Sequence, residues 1–185
     1  MYHINNNKRC INSCTLIYKA LIKLIRGGQN NIENITILDL SRASTISRAT
    51  FYRHFDTIID VLVWESDREM EIAFEKLVPV KDTKQFIGIL FEHWHKNSLL
   101  LDVLVAIGRA EIILNSLEKV IEKYSYLILE GTRLDYNRRQ YIMSIWSVIL
   151  WAVLRKWISD GKKTSVEELT NIALHNMPLP SKRWQ

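Results

Sequence analysis

The scarcity of helix-breaking residues constrains this fold more than any other feature of the sequence. Only three prolines occur in 185 residues, at positions 79, 178 and 180, and there are only six glycines. Proline inside a helix removes a backbone hydrogen bond and clashes with the preceding turn, so its rarity permits long helices almost everywhere. No stretch shows the sustained alternation of apolar and polar residues expected of half-buried strands. The sequence therefore predicts an all-α fold.

The first third of the chain predicts two helices before residue 45. Residues 13–26 carry an apolar stripe that ends at Gly27-Gly28, which predicts the first helix. Thr36 is placed to cap a second helix of about two turns, and Asp39, three residues later, is close to a capping box. The positions expected to face inward on this second helix are Ile37, Leu40 and Ala43.

A turn at residues 44–46 then leads to a third short helix, which Ser47 can cap. Phe51 and Phe55 lie four residues apart and therefore share one face of it. We expect both rings to be buried. A longer fourth helix is predicted over 57–78, followed by helices near 82–96, 98–108, 110–130, 137–160 and 165–176.

The positive charge is confined to the beginning of the chain. The formal net charge is +5, and residues 1–56 alone hold eight basic and three acidic residues. The 17 basic and 17 acidic residues that follow cancel. This asymmetry favours an anionic partner for the N-terminal part. The alternative is a surface that is charged only for solubility.

Two short helices joined by a three-residue turn describe a helix-turn-helix, whose second helix lies in the major groove of DNA. If Phe51 and Phe55 anchor that helix, its polar side chains are left facing outward. Arg48 is then the best candidate for a bidentate guanine contact. The other candidates for base or phosphate contacts are Thr36, Ser47, Thr50, Tyr52, Arg53 and His54. The alternative is a three-helix substructure with a polar outer face and no DNA partner.

The stretch T-I-L-D-L-S-R-A-S-T-I-S-R-A-T-F-Y-R-H-F (36–55) resembles the helix-turn-helix signature of the TetR family of bacterial transcriptional repressors. The similarity spans about residues 15–64, and W-I-S-D-G-K-K-T-S-V-E-E-L (157–169) is similar to the link between that family's last two helices. The resemblance implies an N-terminal helix-turn-helix domain over residues 1–57. A helical effector-binding and dimerisation domain would follow over residues 58–185.

The resemblance also implies roles for single residues. Ser47, Arg48 and Ala49 would approach bases, whereas Thr36, Thr50, Tyr52 and His54 would contact phosphates of double-stranded DNA. Two positions depart from the family pattern. Thr45 stands where the family usually has glycine, so this turn either has another geometry or is strained, because a β-branched residue is strained at positive φ. Ile58 stands where the family tends to have a phosphate-binding lysine.

Residues 141–158 form the most apolar segment of the sequence. The uncharged part, 141–154, has 14 residues, short of the roughly 20 that a membrane span needs, so we expect no membrane association. A helix that is apolar all round is otherwise buried on every side. We therefore expect this helix and 165–176 to form a two-fold four-helix bundle in a homodimer, as the resemblance also implies. The expected interface residues are Trp146, Ile149, Leu150, Val153, Trp157, Leu169, Ile172 and Ala173.

The remaining region, about 60–135, would form a ligand chamber if the family pattern holds. An aromatic-rich lining suits a hydrophobic or planar cationic small-molecule effector. The expected lining residues are Trp64, Phe86, Phe91, Trp94, Leu101, Val105 and Met143. Aromatic residues at helical spacing are also the usual contents of a core, and no polar constellation in the sequence singles out a ligand.

No metal, cofactor or enzymatic site is expected from the sequence. His93 and His95 point to different sides of a helix, and no other cluster has ligand spacing. Motifs for nucleophilic, nucleotide-binding or paired-acid chemistry are missing. Cys10 and Cys14 provide no disulfide framework and are interpreted as ordinary residues of a cytoplasmic protein.

Three functional hypotheses follow. The first is a repressor that binds a palindromic operator as a homodimer and is released by a small-molecule effector. The second is a helical small-molecule binder with a vestigial DNA-binding motif. The third is a DNA-binding regulator that is switched by a protein partner.

Overall fold

The structure is a computed structural model that describes residues 1–4, 7–28, 32–77, 82–128 and 134–177. These residues form nine α-helices, and the extended structure within them is a single β-bridge between Tyr2 and Phe55. The predicted all-α fold is confirmed. The helices are α1 (Lys8–Arg26), α2 (Ile37–Ser44), α3 (Arg48–His54), α4 (Ile58–Glu75), α5 (Thr83–Lys96), α6 (Leu99–Ala106), α7 (Glu111–Ile128), α8 (Tyr136–Ser159) and α9 (Val166–Asn176), with a 3₁₀ turn at Ile32–Asn34.

Helix α1 begins at Lys8 and not at 13 as the sequence predicted. The side chain of Asn7 caps it by accepting a hydrogen bond of 2.8 Å from the backbone N–H of Cys10. The buried face is consequently longer than the predicted stripe. It includes both cysteines, whereas Leu16 is exposed. The buried side chains recur every three or four residues at Cys10, Cys14, Ile17, Leu21 and Ile25.

The predicted caps of the next two helices are confirmed. Thr36 and Asp39 form a reciprocal capping box on α2, and the hydroxyl of Ser47 caps α3 by accepting from the N–H of Thr50. The prediction that Ala43 faces inward is wrong, because it is exposed and the next residue, Ser44, is buried instead. Burial of that hydroxyl is tolerated since it donates to the carbonyl of Leu40 at 2.6 Å.

The turn between α2 and α3 has the left-handed geometry that glycine would favour. Thr45 has φ 61° and ψ 12°. Of the two outcomes expected for this residue, the structure shows the strained one. The turn keeps its shape with a β-branched side chain in it.

Helix α4 connects the two halves of the molecule. At its start it packs on α1, and the ring of Trp64 meets Phe55 edge-on with centroids 6.1 Å apart. Further along, it packs on α7, where Asp67 accepts hydrogen bonds from Ser116 at 2.6 Å and from Lys119 at 3.0 Å. Asp67 also accepts from the Tyr2 hydroxyl at 2.9 Å. The N-terminal residues, α4 and α7 are thus joined at one carboxylate. Residues 78–81, which include the predicted end of this helix, lie outside the described residues.

The C-terminal half is a helical assembly in which α5 packs on α9 and α7 packs on α8. Helix α8 has 24 residues, and it is the described helix that is long and apolar enough, by length and composition alone, to cross a membrane. The core helix of a soluble protein passes the same test. Here α8 contacts α6, α7 and α9 on one side and leaves apolar residues uncovered on the other.

Candidate nucleic-acid interface

Helix α3 presents a polar face to solvent because its two phenylalanines hold the opposite face in the core. Phe51 and Phe55 are 1% and 0% exposed. Their ring centroids are 5.7 Å apart, as expected of aromatic residues at i and i+4. The outward side chains are Ser47, Arg48, Ala49, Tyr52 and Arg53, which are exposed, and Thr50, which is half-buried. The structure therefore brings together six of the eight predicted DNA-binding residues on one surface.

The hydroxyls at the start of α3 leave one proton available for a ligand. Ser47 Oγ accepts from the Thr50 N–H at 3.1 Å, and the two hydroxyl oxygens are 3.0 Å apart. One hydroxyl donates to the other in this pair, so the second hydroxyl proton is free to point outward. This proton lies beside the exposed Arg48 side chain, at the end of the helix that carries partial positive charge.

Thr36 does not offer the two phosphate donors that the sequence suggested. Its backbone N–H and its hydroxyl both donate to Asp39 Oδ2, at 3.0 and 2.6 Å. These bonds, chiefly the one from the hydroxyl, lower the pKa of Asp39, so the carboxylate keeps its charge. The hydroxyl of Thr36 is thus engaged by Asp39 in this arrangement, and its contact with phosphate stays a prediction. Backbone N–H groups at Ile37 and Leu38, which have no partner within the helix, are the donors that remain at this end of α2.

The prediction that His54 faces outward is also wrong. The side chain is buried at 7% exposure, and its Nδ1 lies 3.5 Å from Cys10 Sγ. The N-terminal residues cover it, since the backbone N–H of His3 donates to the His54 carbonyl at 2.8 Å. Burial, and then the charge of Arg53, lowers the pKa of His54. Because it is buried, this imidazole is not placed to contact a phosphate.

Several basic side chains lie on α3 or on the helices beside it. In the described part of the chain, no ion pair involves Lys8, Arg9, Arg42, Arg48 or Arg53. A cleft of about 510 Å³ lies between α1 and α3, and Arg9, Ser47, Thr50 and Arg53 are among its lining residues. Unpaired cations and hydroxyls around a concave surface are what phosphate oxygens require. Ile58, at the position of the family's lysine, is half-buried and adds no charge.

The residues predicted to line a ligand chamber are mostly packed in the core. Phe91, Trp94, Leu101 and Met143 are buried, whereas Phe86 and Val105 are half-buried. Trp64 belongs elsewhere, because its ring packs on Phe55 of the N-terminal half. Its role as a lining residue of a C-terminal chamber therefore stays a prediction, although it does line a cleft with Ser116 and Val120 of α7.

Buried polar groups without partners mark a place that the sequence did not reveal. Among the described residues, Ser66 Oγ, both ring nitrogens of His93 and Trp94 Nε1 are buried without an aligned hydrogen-bond partner. His93 Nε2 does lie at an ion-pair distance of 3.0 Å from Glu69 Oε2. These groups lie on α4 and α5, which pack together. Unsatisfied buried polar atoms destabilise a fold by about 1–3 kcal/mol each, so each of these groups calls for a partner that the described residues do not supply.

Most of the predicted interface residues are not on the surface. Trp146, Leu150, Trp157, Leu169 and Ala173 are buried within the protomer, so their contact with a second subunit stays a prediction that the protomer surface does not support. Ile149 and Val153 are half-buried, and Ile172 is exposed. The uncovered apolar residues of α8 lie on its other face, at Tyr141, Ile145 and Val148.

Comparison of the sequence with known protein families agrees with the helical architecture and with the polar outer face of α3. A model of a TetR C-terminal domain, described as "Transcriptional regulator C-terminal region", matches residues 81–177, more than half of the chain. The chain belongs to the TetR family of transcriptional regulators. TetR-family regulators bind DNA, dimerise and bind small-molecule effectors. They are a family of regulators and not of enzymes.

Solved structures of TetR regulators share the fold. A TetR transcriptional regulator from Streptococcus agalactiae 2603V is 18% identical with a TM-score of 0.61, over 89% of this chain and 93% of that one. The fatty acid degradation regulator FadR from Bacillus halodurans is 15% identical with a TM-score of 0.55, over 94% and 97% of the two chains. No curated protein matches the sequence significantly.

Proposed function

We propose that this TetR-family protein is a cytoplasmic repressor that binds a palindromic operator as a homodimer. The observation that carries the proposal is the outer face of α3. Its arginines have no acidic partner in the described residues, and Phe51 and Phe55 fix the helix from behind. Arg48, in the first turn, is placed to read a guanine, while Tyr52, Arg53 and the Ser47–Thr50 pair contact phosphates.

Dimerisation uses the uncovered face of α8 together with α9. Tyr141, Ile145 and Val148 are 74%, 46% and 50% exposed and follow one another by three or four residues, which places them on one stripe. Ile172 on α9 is 41% exposed. A contiguous apolar stripe on a soluble protein marks a protein–protein contact. Two-fold pairing through it gives two copies of α3, and a spacing of about 34 Å between them matches successive major grooves.

The effector site lies between α4 and α5, where Ser66, His93 and Trp94 offer unsatisfied polar atoms. An effector with an apolar, planar body and a few hydrogen-bonding groups would satisfy these atoms while it packs on the surrounding aromatic rings. Its binding shifts α4, and α4 carries Trp64, which supports Phe55 and hence α3. For a large response, the effector must bind the released arrangement far more tightly than the DNA-bound one.

The experiment is selection of duplex DNA from a random pool, followed by salt titration of the selected operator. We expect an enriched palindrome and an affinity that falls steeply with salt. Arg48→Ala should weaken specific binding by about 1–3 kcal/mol and relax the preference at one base pair. Lys163→Ala, which removes one exposed positive charge near α9, is the matched control and should retain operator affinity.

Absence of any enriched palindrome would contradict operator binding. A flat salt response, together with wild-type affinity of Arg48→Ala, would contradict the assignment of α3 as the reader. Operator release by a purified protein partner alone, with no small molecule that releases the DNA, would contradict the effector part of the proposal.

A further inference from the structure

Three potential metal ligands meet beneath the recognition helix. Cys10 and Cys14 lie one turn apart on α1, and His54 is the last residue of α3. One ligand atom from each side chain lies within 4.8 Å of the other two. Cys10 Sγ is 3.5 Å from His54 Nδ1 and 4.0 Å from Nε2. All three side chains are buried, at 7%, 0% and 7% exposure.

We propose that Cys10, Cys14 and His54 form a binding site for a thiophilic closed-shell cation, Zn²⁺ or Cu⁺. Zinc–sulfur bonds of about 2.3 Å and zinc–nitrogen bonds of about 2.0–2.1 Å at tetrahedral angles place sulfur and nitrogen about 3.5 Å apart and two sulfurs about 3.8 Å apart. The separation of Cys10 Sγ and His54 Nδ1 already has this value. The remaining separations are at most 4.8 Å, so closure around an ion needs the sulfurs to approach each other and the His54 ring to turn one nitrogen toward them.

The ligand types fit this class of cation and no other common one. Thiolate and imidazole select zinc and copper(I), whereas magnesium and calcium require oxygen ligands. Binding of a divalent ion releases the two thiol protons and forms two metal–sulfur bonds, with no change in oxidation state. The two negative charges thereby created in the interior are neutralised by the ion. Three protein ligands leave the fourth tetrahedral position for water.

An entry path exists on one side of the cluster. Cys10 and His54 line the cleft of about 510 Å³ between α1 and α3, together with His3, Asn7 and Ser13. An ion can therefore reach the buried ligands without unfolding of the domain. The same cleft is lined by Ser47 and Thr50 from the DNA-facing start of α3. An ion at its base would tie the end of α3 to α1, but its binding does not depend on the proposed operator.

The test is a titration of the full, reduced and chelator-treated protein with Co²⁺, which reports thiolate ligands through its sulfur-to-cobalt absorption and tetrahedral geometry through intense visible bands. We expect one Co²⁺ per chain with both signatures, and displacement of Co²⁺ by Zn²⁺. Cys10→Ala and His54→Gln should each weaken binding by at least about a hundredfold, since loss of even a supporting residue around a metal costs 10–100-fold. His175→Gln removes an exposed histidine and should leave affinity unchanged.

Co²⁺ bound without the sulfur absorption would overturn the proposal, as would failure to bind any ion. Equal affinities for Cys10→Ala, His54→Gln and His175→Gln would indicate an adventitious ion only. The absorption of the wild-type protein decides the question even if Cys14→Ser, at a fully buried position, fails to fold. Far-ultraviolet circular dichroism of each variant confirms that the helices are retained.

Discussion

The left-handed turn at Thr45 permits a prediction whose size follows from the structure. With φ 61° and ψ 12°, Thr45 has a conformation that costs an L-residue roughly 1–2 kcal/mol, and its β-branched side chain places it at the upper end. Its hydroxyl donates to the carbonyl of Ser44 at 2.6 Å, a partly exposed bond that offsets roughly 0.5 kcal/mol. Glycine relieves the strain but adds roughly 0.5–1 kcal/mol of backbone freedom to the unfolded chain. We therefore expect Thr45→Gly to stabilise the protein by roughly 0.5 kcal/mol.

Comparison with two other substitutions tests whether the gain in stability comes from relief of strain at Thr45. Ala43→Gly introduces the same residue nearby at an exposed position with ordinary helical geometry, and should destabilise by roughly 0.5–1 kcal/mol. Thr45→Ala removes the hydroxyl but keeps a Cβ at positive φ, so it should be less stable than Thr45→Gly. The difference between the two glycine variants, about 1 kcal/mol or more, is the quantity that reports the turn.

Urea unfolding followed by far-ultraviolet circular dichroism measures this difference. All variants are compared at one protein concentration, because the stability of the dimer that we propose would depend on that concentration. The midpoint should shift upward for Thr45→Gly without a change in slope. If Thr45→Gly lowers the midpoint as much as Ala43→Gly does, the turn is not held in the left-handed region and the strain argument is refuted.

Three further predictions concern other parts of the molecule. Val148→Glu places an unpaired charge in the proposed dimer face and should raise the dimer dissociation constant more than about a hundredfold. Analytical ultracentrifugation measures this constant, and an unchanged value would exclude this face as the interface. Burial lowers the pKa of His54 in the folded, metal-free protein. As pH drops below about 6.5, this histidine is therefore protonated more readily in the unfolded chain than in the folded one, and the free energy of unfolding should fall. The urea midpoint of His54→Gln should depend less on pH across that window, and identical profiles would contradict the assignment. Ser66→Ala removes a buried hydroxyl without a partner, so it should stabilise the effector-free protein by about 1 kcal/mol and raise its melting temperature. A lowered melting temperature would show that the hydroxyl has a hydrogen-bond partner.

Local chemistry explains which structural predictions succeeded. The caps at Thr36 and Ser47 are each made with an N–H three residues along the chain, so the information lies within one turn of sequence. The burial of Phe51 and Phe55 follows equally directly from their spacing of four residues. These features placed the outer face of α3 without knowledge of anything distant.

The burial of His54 was not predicted because it depends on segments remote in sequence. His54 is buried because residues 2 and 3 lie across the end of α3, as the bridge from Tyr2 to Phe55 and the bond from His3 show. The residue pattern within 47–55 gives no sign of this contact with the N-terminal residues. The choice of an interface face on α8 was open for a different reason. A helix apolar on all sides has no periodicity, so the sequence cannot decide between the Trp146–Leu150 face and the Ile145–Val148 face.

The connection between the two halves of the molecule passes through a few discrete contacts, and this bears on how a switch can work. Asp67 on α4 binds Tyr2 from the N-terminal residues and Ser116 from α7 with the same carboxylate. One turn earlier on α4, Trp64 packs on Phe55. A shift of α4 must therefore break bonds at Asp67 before it can move α3, so partial displacements are unfavourable and two arrangements are favoured over a continuum. Ser66, buried without a partner on the same stretch of α4, is where we propose that an effector biases that choice.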